Sequence, residues 1–177
     1  MRIIAGELGG RVFDTPGTNN THPMSERARG ALFNILGDIN NFSVLDAFSG
    51  TGALAFEAAS RGAAEVIALE LDKTAQKTIE SNIRKLDLSD RVQLIKVSAN
   101  TWSDNNIDLR FDLILCDPPY NKLQVDLLKQ LSNHLTPTGI FVVSWPKNQQ
   151  PPIFETLKEI KQSSYGDARL FFFVRSW

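Results

Sequence analysis

Cysteine is almost missing from this chain. The one thiol, Cys116, excludes an intramolecular disulfide and fits a reducing compartment. Histidine is nearly as scarce. His22 and His134 stand apart, without cysteine or acidic partners at ligand spacing, so no metal site is expected. No run of about 18 apolar residues occurs, which excludes a membrane-spanning helix. The opening Met1-Arg2-Ile3-Ile4-Ala5-Gly6 has no apolar stretch of signal-peptide length, and a cytoplasmic protein is expected. An excess of charge of one sign is lacking too. The formal net charge of −1 argues against a protein that holds nucleic acid by bulk electrostatics.

What is present is ordinary in amount and ordered in pattern. With 177 residues, 42% of them hydrophobic, the chain is read as one domain able to bury a core without staples. Residues 1–21 are an N-terminal extension and 22–177 the main body. Short apolar runs at 2–5 and 11–14 flank Gly6-Glu7-Leu8-Gly9-Gly10 and predict a hairpin, and Thr15 to Thr21 is loop. Ser25 is the N-cap of a helix carrying Ala28, Ala31, Leu32, Ile35 and Leu36 at helical spacing, with Gly37 as its stop. From residue 43 strands alternate with helices. Strands are predicted at Ser43–Phe48, Glu65–Leu71, Val92–Val97, Phe111–Cys116 and Gly139–Trp145, and helices at Ala53–Arg61, Thr74–Leu86 and Leu123–Leu135. This is the pattern of an α/β protein, a parallel sheet with helices on both faces. Beyond Pro151-Pro152 a helix is predicted over 153–160 and an aromatic core strand over Arg169–Val174.

Two turns in this framework carry chemistry. The first is Val44-Leu45-Asp46-Ala47-Phe48-Ser49-Gly50-Thr51-Gly52-Ala53-Leu54, a strand, a glycine turn and a helix start. Glycines let a ligand approach the main chain, and the helix offers unpaired N–H groups. Glu70, 20 residues after Gly50, ends the next strand where an acid can bind both ribose hydroxyls. Gly50-x-Gly52-x-x-Ala55 formally matches a dinucleotide fingerprint. Asp46, however, would repel a pyrophosphate and attract the cationic amino-acid end of S-adenosylmethionine. The second turn is Asp117-Pro118-Pro119-Tyr120 at the close of the fourth strand. The prolines end the strand and fix the turn, presenting a carboxylate, a backbone carbonyl and an aromatic ring at a strand's carboxyl end. Cys116 is expected to be a buried, inert thiol, and Phe171-Phe172-Phe173 core. Charge divides as +1 over residues 1–36, −5 over 37–120 and +3 over 121–177, the pattern of a cationic rim round an acidic centre and also of simple scatter.

With both turns in view, the chain resembles class I S-adenosylmethionine-dependent methyltransferases. More narrowly it resembles the RsmD family, which methylates the exocyclic N2 amine of a guanine in small-subunit (16S) ribosomal RNA. The resemblance runs from Arg2-Ile3-Ile4-Ala5-Gly6 and Gly10-Arg11 through Pro23, Arg27-x-Arg29-x-Ala31-Leu32-Phe33-Asn34 and Leu45-Asp46-x-Phe48-x-Gly50-x-Gly52-Ala53-Leu54. It continues in Glu57-Ala58, Ser60-Arg61-Gly62-Ala63, Asn82, Asp117-Pro118-Pro119-Tyr120 and Tyr165-Gly166. It departs at His22, Met24, Gly30 and Ser98, where the family commonly has Arg, Thr, Glu and Asp.

The resemblance implies a Rossmann-like fold: a mainly parallel seven-stranded sheet with helices on both faces, plus a small N-terminal β-hairpin and helix. Asp117, Pro118, Pro119 and Tyr120 would be catalytic. Asp46, Phe48, Ser49, Gly50 and Gly52 would hold S-adenosylmethionine together with Glu70, Leu71, Ser98 and Ala99, where Ser98 or Asn100 replaces the usual acid at the adenine. Arg2, Arg11, His22, Ser25, Arg27 and Arg29 would meet the RNA. The expected partner is small-subunit ribosomal RNA, a 30S subunit or an assembly particle, and the expected state a monomer. The same turn chemistry would serve an N6-adenine or protein-glutamine methyltransferase, and the fold alone a non-catalytic nucleotide- or RNA-binding protein.

Overall fold

The structure, a computed structural model, describes residues 1–17 and 23–176. Helix α1 (Glu26–Leu36) precedes β1 (Ser43–Asp46), α2 (Ala53–Ser60), β2 (Glu65–Leu69), α3 (Lys73–Lys85) and β3 (Val92–Ile95). Then come α4 (Ala99–Asn105), β4 (Phe111–Cys116), α5 (Val125–Ser132), β5 (Leu135–Pro146), β6 (Leu157–Tyr165) and β7 (Ala168–Arg175). The strands form one sheet in the order β3-β2-β1-β4-β5-β7-β6. β1 to β5 are parallel, and β7 runs antiparallel to both its neighbours. Strand order reverses between β1 and β4, which opens a crevice beyond their carboxyl ends.

Alternation along the strands divides the core between the two faces of the sheet. Val44, Val66, Leu113, Val142 and Phe172 pack on one side with Leu32 and Phe33 of α1, the small residues of α2 and Ile79 of α3. Leu45, Ile67, Ile114, Phe171 and Phe173 pack on the other with Trp102 of α4 and the leucines of α5. The three consecutive phenylalanines are thus core, as their strand period predicts. Among the described residues no helix is long and apolar enough to cross a membrane.

The N-terminal segment is stapled to the first face. Its hairpin reduces to a single bridge, Arg2 with Val12, closed by Ile3 N–H to Arg11 O (2.9 Å) and Gly10 N–H to Ile3 O (2.8 Å). The buried Glu57 carboxylate of α2 accepts Ile4 N–H at 2.8 Å and Ala5 N–H at 3.1 Å. Gly6 has φ +83°, and a side chain there would meet the Ser60 carbonyl, so only glycine allows this approach. Asn82 of α3 pairs with the Asp14 main chain through both amide atoms. α1 begins as predicted, with Ser25 Oγ accepting Ala28 N–H at 3.2 Å, and ends at Gly37 with φ +75°.

Two predicted elements differ and one helix is additional. The helix expected over 153–160 is instead the edge strand β6, in which Leu157 is buried but Lys158, Glu159, Ile160, Lys161 and Gln162 are exposed. Leu157 and Ile160 mimic a helical stripe. A register irregularity between Glu159 and Lys161 breaks the period-2 pattern that would have betrayed a strand. α4 is additional: its seven residues are too short and polar for a visible apolar period, and only Ser98, whose Oγ accepts Thr101 N–H at 3.1 Å, marks its start. The helix drawn to Leu135 stops at Ser132, and β5 starts at Leu135.

Candidate active site

Parallel strands deliver Asp46 (β1), Glu70 (after β2), Ser98 (after β3) and Asp117 (after β4) to one edge of the sheet, round the crevice. Asp46 is fully buried, and neither carboxylate oxygen has a hydrogen-bond partner. Burial, with the nearby charges of Asp117 and Glu70, pushes its pKa up to about 7. The nearby Ser49 hydroxyl leaves the carboxylate unpaired, because its one proton goes to the Asp46 main-chain carbonyl at 3.2 Å. An orphaned buried acid of this kind fits a cationic group of a ligand.

The glycine turn is held by Glu70, whose carboxylate accepts Gly50 N–H at 2.7 Å and Asp72 N–H at 2.7 Å. Gly50 and Gly52 both have positive φ. A side chain on Gly52 would strike the Phe56 ring, so this glycine serves helix packing as well as the turn. Ser49 is buried with its N–H on Leu69 O at 3.0 Å, Phe48 is half-buried, and Leu71 lies 66% exposed beside Glu70. Ser98 is occupied as the α4 cap, and Ala99 is buried behind it. Sequence reasoning passed over Gln76, whose side-chain amide donates to Glu70 O at 2.9 Å and Leu71 O at 3.1 Å. Its signal was a polar residue next to Ala75 on the buried stripe of α3.

At the second turn Pro118 is buried and Pro119 exposed. Asp117 keeps some exposure, yet desolvation raises its pKa to about 6 against the stabilising Ser144 hydroxyl. Tyr120 Oη lies 2.7 Å from Ser144 Oγ, and burial raises the phenol to about 12. Ser144, 3% exposed on β5, was also passed over. It was visible as the lone hydroxyl in the apolar run 140–145. Tyr120, Pro146, Lys147, Asn148, Gln149 and Asp167 line an open cleft of about 570 Å³ beside the turn. Lys147 N–H to Asp167 O (2.8 Å) and Arg169 Nη2 to Gln149 O (2.6 Å) pin its rim.

The residues predicted to meet RNA scatter. Arg29 is a correction: it is fully buried, 3.6 Å from Glu57 and donating to Arg2 O at 2.6 Å, out of reach of any RNA. Arg11 is a second. It reaches the Lys85 and Leu86 carbonyls at the C-terminal end of α3, which leads into the start of β3 at the edge opposite the crevice. Arg2 pairs with Glu26 at 2.9 Å. Ser25 and Arg27 are exposed in the first turn of α1. They lie toward the crevice edge, since Asn34 near the other end meets Arg61 at the end of α2. His22 lies outside the described residues. His134 is structural, buried between Ser103 (2.8 Å), Leu109 O (3.0 Å) and Trp102, with its pKa lowered by desolvation. Cys116 is buried and its thiol pKa raised by desolvation, as an inert core thiol requires.

A sheet of this order, opened at its switch point between a buried unpaired acid and a proline-fixed acidic turn, is that of a class I S-adenosylmethionine-dependent methyltransferase. The Escherichia coli protein yhhF shares the fold, with a TM-score of 0.87 at 24% identity over 99% of this chain and 97% of that one. The chain belongs to the RsmD-like family: the family model described as conserved hypothetical protein 95 matches residues 1–174. Ribosomal RNA small subunit methyltransferase D of Haemophilus influenzae is 31% identical over 173 residues, covering 94% of this chain and 89% of that one. The protein of the same name from Buchnera aphidicola is 35% identical over 121 residues, a match spanning 68% of this chain and 63% of that one.

Proposed function

We propose that this methyltransferase acts on the exocyclic N2 amine of a guanine in small-subunit ribosomal RNA. The observation that carries the reading is the Asp117-Pro118-Pro119-Tyr120 turn at the β1/β4 crevice, one strand away from the orphaned Asp46 carboxylate. The names of the full-length relatives supply the RNA class. S-adenosylmethionine, when bound, supplies an electrophilic methyl group on a sulfonium. Asp46 and Glu70 would hold its amino-acid and ribose ends, and Leu71 would cover the adenine.

The rest falls to the turn. A guanine amine is a poor nucleophile because its lone pair is delocalised into the ring. The Asp117 carboxylate and the Pro118 carbonyl accept its two N–H bonds, which favours pyramidalisation and localises the lone pair toward the methyl group. Both acceptors are fixed before the reaction, so little reorganisation is needed in the transition state. Tyr120 stacks on the base, a contact worth roughly 1–3 kcal/mol. Transfer is a direct displacement governed by orientation, and Asp117 takes the proton that the product amine sheds.

An amine reached in this way belongs to an unpaired or extruded base. The cleft beside Tyr120, with Lys147, Asn148 and Gln149 on its rim, suits the flanking strand, and Arg27 a phosphate on the opposite side. A net charge of −1 makes naked RNA a poor ligand, so the substrate is the small subunit or an assembly particle. The reading places a monomer in the cytoplasm, with residues 22–177 as the catalytic domain and 1–21 as its extension.

The test is methyl transfer from labelled S-adenosylmethionine to unmodified small subunits, naked ribosomal RNA, duplex DNA and protein extract, followed by identification of the methylated base. Label in N2-methylguanine from small-subunit material is expected. Label in N6-methyladenine or in protein would replace the substrate. Asp117→Ala is expected to abolish transfer while cofactor binding survives.

A further inference from the structure

We propose that Ser144 is a positioning residue for the methyl-transfer step: its hydroxyl accepts the Tyr120 proton, donates its own to Asp117, and so fixes the face that the carboxylate turns to the substrate amine. The inference rests on the role given above to Asp117 and adds a residue from a different strand.

Register places Ser144 there. Cys116 of β4 pairs with Val143 of β5 in parallel, so Asp117 leaves the sheet beside Ser144, which stays in β5 opposite Leu170 of β7. Ser144 is 3% exposed, and its Oγ is 2.7 Å from Tyr120 Oη. Register sets this hydroxyl beside the Asp117 carboxyl, and its influence there favours the charged form. A hydrogen bond so enclosed is held without competition from water.

Counting protons sets the direction. An ionised carboxylate only accepts, and a serine has a single proton to give. If that proton goes to Asp117, the 2.7 Å contact is made by the Tyr120 hydroxyl donating to Ser144 Oγ. The phenol suits the task, since burial holds it protonated far above neutral pH. The three groups would then act as one directed chain, Tyr120 to Ser144 to Asp117. It pins the Tyr120 ring at its distal end. It also occupies one side of the carboxylate, leaving the remaining lone pairs for the amine. A tyrosine chosen only for stacking would not need its hydroxyl.

Two measurements test this, one of them independent of turnover. In the unliganded protein, carbon-13 NMR of the Asp117 carboxyl is expected to show its titration moving to higher pH in Ser144→Ala. A smaller move in the same direction is expected in Tyr120→Phe, and a return toward wild type in Ser144→Thr. In the transfer assay Ser144→Ala is expected to lower kcat about tenfold or more, the scale of a lost hydrogen bond to a charged group. KM and cofactor affinity should stay within about twofold, with the acid limb of the pH profile displaced in the same direction as the NMR titration. An unmoved Asp117 titration in both Ser144→Ala and Tyr120→Phe would overturn the proposal, as would a threonine variant no better than alanine. Failure of the wild-type protein to methylate small-subunit RNA would instead count against the proposed function, leaving the NMR result to stand or fall alone.

Discussion

Asp46 and Asp117 face one crevice, and both are held near neutral pH by burial, which leads to opposite consequences for stability and activity. For Asp46 the folded pKa of about 7 lies above the ordinary 3.8. Between these values the folded chain binds more protons than the unfolded one, so stability falls as pH rises from about 4 to 7. A rise of that size corresponds to an upper limit of about 4 kcal/mol. Asp46→Asn is therefore expected to stabilise the protein by up to about that amount at pH 8, and hardly at pH 4, as measured by urea unfolding at the two pH values. The same variant should lose cofactor binding. Asp117 must be ionised to accept from an amine, so transfer is expected to decline as pH drops through about 6, and a pH–rate profile checks this. Both acids were legible because each sits at a strand end beside glycine or proline, where the chain cannot continue regular structure. Ser144 and Gln76 were not, because a hydroxyl or amide inside an apolar stripe shows its partner only when strands and turns are brought together. Arg29 misled for the converse reason. An arginine on an amphipathic helix reads as a solvated cation unless the buried acid opposite it, Glu57, is known.

Glu57 also matters at the scale of elements. It gathers Ile4 and Ala5 N–H groups, Arg29 and Arg61 (2.8 Å) at one buried point, tying the N-terminal segment and α1 to α2. Glu57→Ala leaves the buried Arg29 without its counter-charge and two main-chain donors without their acceptor, and is expected to cost about 3–5 kcal/mol. Urea unfolding measures that loss, and faster proteolysis within residues 1–14 would show that this segment is the part released. The parallel half of the sheet was legible from its alternation of apolar strands with 8–13-residue helices. The antiparallel end was legible only in β7, whose consecutive phenylalanines are buried on both faces. β6 escaped because an edge strand has one neighbour, and its exposed face carries the lysines and glutamate that keep other strands from pairing with it.

Across the whole molecule, the basic excess of the N-terminal region is not a rim. Of its four arginines, Arg29 is buried, Arg11 sits against the end of α3 and Arg2 is paired with Glu26, leaving Arg27 without a side-chain partner among the described residues. Few cations then serve the RNA, and the salt dependence of binding should be shallow. Arg27→Ala and Lys147→Ala are each expected to reduce the slope of log affinity against log salt by about 1, with cofactor affinity unchanged, as binding titrations across a salt series would show.

Cys116, 2% exposed in a strand with neighbours on both sides, gives the folded protein a further property. A thiol-specific reagent finds nothing to react with until β4 separates from the sheet, so the labelling rate at Cys116 acts as a clock for opening of the molecule's centre. The same silence makes the chain a clean background for a reporter: a cysteine placed at Asn148, on the rim of the cleft, would be the sole site that a fluorophore modifies in the native state.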